Sequence, residues 1–156
     1  MSTLHDTALA VKTLLDGATL SKAFDPRFVY DTNLPLEDAD TLHVDVVAAG
    51  LECVPDTRGS LQYDVAIDIA VRYRFGSSEQ EAIDGSIAVD EIKPYVDLLH
   101  EIGELLADPD NRILTTKIDA VWTGNEIRYP WVPDHLRQNR QYTGVLRATY
   151  VIDKDV

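Results

Sequence analysis

The chain alternates most clearly between residues 63 and 75, YDVAIDIAVRYRF. Every odd position there is apolar: Tyr63, Val65, Ile67, Ile69, Val71, Tyr73 and Phe75. The even positions carry Asp64, Asp68, Arg72 and Arg74, with Ala66 and Ala70 as neutral exceptions. A period of two places one stripe on a core and the other toward water or a partner. At ~3.3 Å per residue the run extends roughly 40 Å, long for a strand in a small domain. A helix would leave Asp64 and Asp68 on a face with little to oppose them. The pattern predicts a long, half-buried strand of antiparallel type.

Residues 41–48 alternate in the same way, with Leu42, Val44, Val46 and Ala48 inward and His43, Asp45 and Val47 outward. Residues 50–60, with Gly50, Pro55 and Gly59, read as the loop that joins these strands into a long hairpin. Two other stretches follow the helical period. Over residues 4–20, Leu4, Ala8, Val11, Leu15 and Ala18 form a stripe that Leu14 widens, and Gly17 weakens the last turn. Over residues 90–107 the stripe is Ile92, Tyr95 and Val96, Leu99, Ile102 and Gly103, then Leu106. Pro94 is expected in the first turn of that helix, and Asp108-Pro109 stops it. Its outer face holds Asp97, Glu101, Glu104 and Asp108.

Between these elements, residues 23–40 read as an extended connector with a short strand at 27–30 and with Phe24, Phe28 and Tyr30 as anchors against the sheet. Residues 76–86 are polar and turn-like. The last third predicts strands at 117–123, 126–131 and 142–153. Gly124-Asn125 reads as a turn, and residues 124–141 as loop-rich, with PDHLRQNRQ a helical turn or a loop. The expected fold is α+β: a mostly antiparallel sheet with a long hairpin and two main helices packed on one face.

Composition bounds this picture. A chain of 156 residues fits one domain, residues 1–156, and 45% hydrophobic with 26% charged content is globular rather than disordered. No apolar run approaches the ~20 residues of a membrane span, and MSTLHDTALAVK lacks the pattern of a signal peptide. Cys53 is the single cysteine, which leaves no internal disulfide and no multi-cysteine metal site. A soluble protein of a reducing compartment is expected. The net charge is -13, unevenly spread: residues 1–110 hold 22 Asp and Glu against 7 Lys and Arg, residues 111–156 hold 5 against 7. An acidic body argues against a dedicated nucleic-acid binder, which needs a basic patch. The asymmetry suits contacts between unlike surfaces, or simply a soluble acidic protein.

Candidate chemistry is sparse. Phosphate-binding glycine loops, HExxH, GxSxG and CxxC are all missing, and His5, His43, His100 and His135 lie on different elements. His43 and Asp45 share a strand face about 7 Å apart, and a metal would need two further ligands. Asp64 and Asp68 are ~13 Å apart along their strand, so at most one could join. A small metal-dependent enzyme or ligand-binding module using His43, Asp45 and Asp64 is therefore the competitor to a solvated strand face. On the solvated reading, replacing His43 or Asp45 costs little stability. Asp64 and Asp68 beside Arg72 and Arg74 read as strand-face salt bridges or interface charges rather than a paired-carboxylate site, and Cys53 as a small, partly buried hydrophobe. Neither catalytic residues nor a cofactor are expected.

Two features point to interaction. Tyr129-Pro-Trp131-Val-Pro133 packs aromatics between prolines, either as interface anchors or as a cap on the core edge. Arg137, Arg140 and Arg147 stand close in sequence in an otherwise acidic chain. Paired with Asp97, Glu101 and Glu104 on the second helix, they suggest a head-to-tail contact between identical subunits, of the kind that closes into rings.

The order of these elements is familiar. An N-terminal helix, the stretch PDTRGSLQYDVAIDIAVRY leading into the long strand, an acidic-faced helix and the closing LRATYVID resemble the small tail-completion proteins of long-tailed bacteriophages. These are also called tail terminator or head–tail joining proteins. The likeness spans residues 4–153, rests on element order and pattern, and is closest at Arg58 and residues 64–71. It implies a virion protein, assembled in the bacterial host cytoplasm, that forms a hexameric ring without catalytic residues. Such a ring caps the tail tube and docks neck or head-completion proteins, with DNA only passing through its lumen. An acidic lumen would repel phosphates and let the duplex slide. Residues 23–40 and 129–133 have no match in that pattern and leave open another neck or tail-tube role.

Overall fold

A computed structural model describes residues 3–30, 41–55, 59–75, 87–114 and 119–155. The elements run α1 (Thr3–Asp16), β1 (Pro26–Val29), β2 (His43–Pro55), β3 (Ser60–Arg74), α2 (Val89–Ala107), a 3-10 turn (Pro109–Asn111), β4 (Ile113–Leu114), β5 (Ala120–Tyr129), α3 (Pro133–Asn139) and β6 (Gln141–Asp155). The strands form one sheet in the order β1-β2-β3-β6-β5-β4. All neighbours are antiparallel except β1 and β2, which run parallel. The fold is α+β with its two main helices against the sheet, as the hydrophobic pattern predicts.

The alternation of β3 explains its central position. Val65, Ile67, Ile69 and Val71 are at most 1% exposed. The strand pairs along its length with β2 on one side and β6 on the other. β6 supplies Leu146, Ala148, Tyr150 and Ile152 to the same core. α1 adds Ala8, Val11 and Leu15, and α2 adds Tyr95, Leu98, Leu99, Ile102 and Leu106. Glycine is required at position 144, because a Cβ there would run into the Tyr142 ring and Leu99. The Tyr142 hydroxyl donates to the Pro130 carbonyl at 2.7 Å and ties the end of β5 to the core.

Several sequence expectations need correction. β2 does not stop at Ala48, and residues 50–55 are strand rather than loop. A bulge between Ala48 and Gly50 absorbs one residue, after which Leu51 and Cys53 stand opposite Val65 and Tyr63. Cys53 is exposed rather than partly buried. Gly124-Asn125 is not a turn: both lie inside β5, where the register slips between Trp122 and Gly124. Asn125 is held there by accepting from the Trp122 indole N–H and donating to the Gly103 carbonyl of α2. Residues 124–141 are thus mostly strand and helix, with only 130–132 and 140 between elements, rather than a loop-rich segment. Pro133 opens α3, and Arg140 closes it with a left-handed backbone, φ 50°.

α1 ends at Asp16, sooner than the stripe suggests, with the Gly17 N–H still bonded to the Thr13 carbonyl. α2 begins at Val89, so Pro94 is its sixth residue and not part of the first turn. Phe24 and Phe28 pack on the core, but Tyr30 is 62% exposed and stacks beside His5 and Phe28 instead. The turn-like 76–86, part of the connector (31–40), Arg58 and the start of the strand expected at 117 lie outside the described residues.

Two buried phenols carry a pH consequence. Burial pushes Tyr142 and Tyr150 well above the ordinary phenol range. The unfolded chain ionises them near pH ~10 while the folded chain holds both protons. Stability should therefore be unaffected by these groups below that pH and fall as pH rises above it. The Tyr150 hydroxyl is also buried without a hydrogen-bond partner. Tyr150→Phe is expected to raise the melting temperature and to soften the alkaline loss, since an unmet buried hydroxyl costs about 1–3 kcal/mol. Thermal melts of both proteins at neutral pH and above pH ~10 check this. A lower neutral melting temperature for the variant would refute it.

Candidate functional site

The sheet face opposite the stripe of Val65, Ile67, Ile69 and Val71 carries the charges, arranged in rows by strand register. One row runs Arg27, Asp45, Ala70, Val145 and Tyr129 across β1, β2, β3, β6 and β5. The next runs Val47, Asp68, Arg147 and Glu126. Asp45 is 0% exposed and is held by two guanidinium groups: Arg27 Nε donates at 2.9 Å, and Arg72 from the neighbouring row donates to the other oxygen. Arg72 is itself buried, as are Gln141 and Thr143 beside it. His135 of α3 reaches this end of the face, its Nδ1 2.8 Å from the Thr143 hydroxyl.

Among the described residues no group of three His, Cys, Asp or Glu side chains is placed to hold a metal ion. Two cations already occupy the Asp45 carboxylate, and a third positive charge there would be repelled. Asp45 lies opposite Ala70, six residues along β3 from Asp64, which is ~20 Å of extended chain. Asp64 accepts instead from Gln62. The expectation that Asp45 is an ordinary solvated position is overturned, because its carboxylate is fully buried and held by the guanidinium groups of Arg27 and Arg72.

The residues expected at an interface fall into different settings. Arg147 donates from Nε and Nη2 to both Asp68 oxygens at 2.8 and 3.1 Å, and that hydrogen bond, with Asp68 and Glu126 charge around it, pushes its pKa up. Its charge is already matched within the subunit. From Arg140 to Arg147 the chain is extended β6, so the two backbones are roughly 20 Å apart, and the three arginines do not form one cluster. Arg137 is exposed on α3, and Arg140 is half-buried at its C-terminal cap.

On α2, Asp97 is exposed and pairs with Lys93 at 2.6 Å, pushing the Lys93 pKa up, and Glu104 is exposed. Glu101 accepts from the Ser21 hydroxyl at 2.5 Å. Tyr129 and Trp131 are 52% and 49% exposed, so neither is a plain cap on the core.

Trp131 lines one wall of an apolar groove of about 420 Å³ with Val89, Ile92, Lys93, Val96 and Leu136. This brings α2 and α3 to the same side of the subunit. The acidic helix α2 and the helix α3 that carries Arg137 are thus neighbours across a groove. Sequence spacing held no sign of this, because Leu136 sits in a segment with no repeating apolar pattern. The Arg27 side of the Arg27–Asp45–Arg72 triad was equally hidden, since Arg27 meets Asp45 through the parallel β1–β2 register while Arg72 reaches it from β3.

Both ends of the sheet are open among the described residues. β1 forms one end, with Tyr30 beyond it. At the other end, β4 covers only Ala120 and Val121 of β5 and leaves the rest of that strand as edge. Ile113, Val121 and Tyr129 are 54%, 44% and 52% exposed there. No described helix is long and apolar enough to cross a membrane. No protein-family model matches the chain, and a search of curated proteins finds no match either.

Proposed function

We propose that the chain is a structural subunit of a bacteriophage virion. On this reading it self-assembles into a hexameric ring that caps the tail tube and joins it to the neck. The observation that carries the reading is the pair of unlike edges at opposite ends of one sheet, both open among the described residues. The β1 end exposes Tyr30, and the β4–β5 end exposes Ile113, Val121 and Tyr129. Unpaired sheet edges are normally blunted or covered. Two different edges that cover each other form a heterologous contact, which closes into a ring when the rotation allows.

The chemistry of the subunit fits an assembly role. Asp45, Asp68, Arg72 and Arg147 are each engaged in ion pairs within the subunit, so they supply rigidity rather than a reactive group. The net charge of -13 suits a passage that DNA must cross without sticking.

The edges can be tested one at a time. Tyr30→Glu and Ile113→Glu place a charge on opposite ends of the sheet, at positions already exposed. Each should reduce the assembly to single subunits while leaving the circular dichroism spectrum unchanged. Mixing the two variants should give only pairs, because each retains one intact edge. If both variants assemble like the parent, these edges are not where the subunits meet.

A further inference from the structure

Strand directions limit how the two unlike edges can meet. β1 and β2 point one way, β3 the other, β6 back again, and β5 runs opposite to β6. Within one subunit, β5 therefore runs antiparallel to β1. A neighbour related by rotation about an axis roughly along the strands keeps its strand directions and its charged face. Its β1 then meets β5 antiparallel, and one sheet continues across the contact. The lengths also match. β4 pairs only with Ala120 and Val121, and the Trp122 N–H bonds the Arg112 carbonyl, so β5 is open from Thr123 to Tyr129. β1 is four residues long, and with Asp25 and Tyr30 on either side it fills the stretch from Thr123 to Arg128.

The charges select the register. Asp25 and Arg27 on one edge and Glu126 and Arg128 on the other are all exposed. Among the described residues Asp25, Glu126 and Arg128 make no hydrogen bond or ion pair, and Arg27 uses only its Nε, on Asp45. Glu126 lies opposite Arg147, but that guanidinium is bonded to Asp68. Lys22, further back on the β1 side, lies over the Tyr95 ring. Arg27 and Glu126 belong to the charged face, and Asp25 stands two residues before Arg27 on the same side. The bulge between Ile127 and Tyr129 brings Arg128 to that face too, at a cavity of about 290 Å³ lined by Asp68, Val145 and Arg147. We infer that β1 of one copy adds antiparallel to β5 of the next, with Arg27 opposite Glu126 and Asp25 opposite Arg128. Both pairs are then of opposite sign, whereas the parallel direction would set acid against acid and base against base. Pro26 meets Ile127, and Phe28 meets Asn125 on the helix side. Tyr30 reaches Thr123, the first position that β4 leaves open. Pro26 offers no N–H, so the residues after it carry the ladder. This pairing rests on the head-to-tail reading and gives it a strand direction and a register.

Cysteine cross-linking tests the register, because residues directly opposite across two strands come within disulfide reach. Cys53→Ser is introduced first, since Cys53 is exposed. Asp25→Cys and Arg128→Cys are then combined in one chain and the protein is oxidised. A ladder of covalent oligomers should form, because each copy offers one cysteine to each neighbour. Asp25→Cys with Glu126→Cys, which the parallel direction would join, should stay unlinked. So should Glu126→Cys with Arg128→Cys, which only a β5–β5 contact would join. Separately, Asp25→Arg should weaken assembly about tenfold or more, and adding Arg128→Asp should restore most of the loss. If rings are seen but either control links in place of the 25–128 pair, or Asp25→Arg is silent, the pairing is wrong and the ring reading stands. A linked ladder that never closes keeps the pairing and overturns the ring. A parent protein that stays single at every concentration overturns both.

Discussion

Ile67→Asp or Ile69→Asp is expected to abolish folding. Both side chains are 0% exposed in the central strand, enclosed by β2, β6 and the helices. A carboxylate there must either lose its hydration without a partner or take up a proton, at a cost of several kcal/mol, and it also forfeits the packing of the isoleucine. Against a total stability of about 5–15 kcal/mol, that leaves little or no native protein. Asp68→Asn, one position away on the opposite face, should be mild. Its side chain is 20% exposed and its ion pair with Arg147 is partly solvated. Losing that charge should cost about 1 kcal/mol or less. Circular dichroism and thermal melts of the three variants check the assignment. Tolerated isoleucine changes with a damaging Asp68 change would mean the two faces are reversed.

The second large effect is expected at Asp45. Asp45→Ala removes the counter-charge that Arg27 and Arg72 share and leaves the Arg72 guanidinium buried beside an uncompensated neighbour. Breaking a buried pair from one side costs about 3–5 kcal/mol, well above the effect of a surface substitution. Replacing both sides, Asp45→Leu with Arg72→Met, should recover much of the loss, because no stranded charge remains. His43→Ala, two residues before, should change stability little. Urea unfolding of these variants gives the comparison. An Asp45→Ala protein as stable as the parent would show that the triad contributes nothing to the fold.

These two positions also mark how far the sequence could be read. The inward stripe of β3 was legible because a period of two admits one strand face and because Ile67 and Ile69 leave no alternative. The α2 stripe was legible for the same reason at the helical period. Asp45 was misjudged, since alternation assigns a side but says nothing of what pairs across the strands on that side. The acid buried there is held by Arg72 across the β2–β3 pairing and by Arg27, which the β1–β2 register sets directly opposite it. Gly124 was misjudged because a glycine followed by asparagine signals a turn locally, whereas pairing with β6 and contact with α2 hold it in a bulged strand.

The setting of the residues expected at an interface was half legible. Trp131 and Tyr129 were recognisable from their prolines and are exposed, and Asp97 and Glu104 do lie on the outer face of α2. The grouping of Arg147 with Arg137 and Arg140 failed because proximity in sequence becomes separation along an extended strand. That α2 and α3 flank one groove is a tertiary fact, set by Leu136 packing toward the core.

The central claim, that subunits add head to tail through unlike edges into a closed ring, is tested most directly by the mass of the purified protein. Light scattering over a concentration series, with class-averaged particle images, gives both stoichiometry and shape. The account predicts a closed ring of hexameric mass. A particle that stops at one or two subunits at every concentration would contradict it.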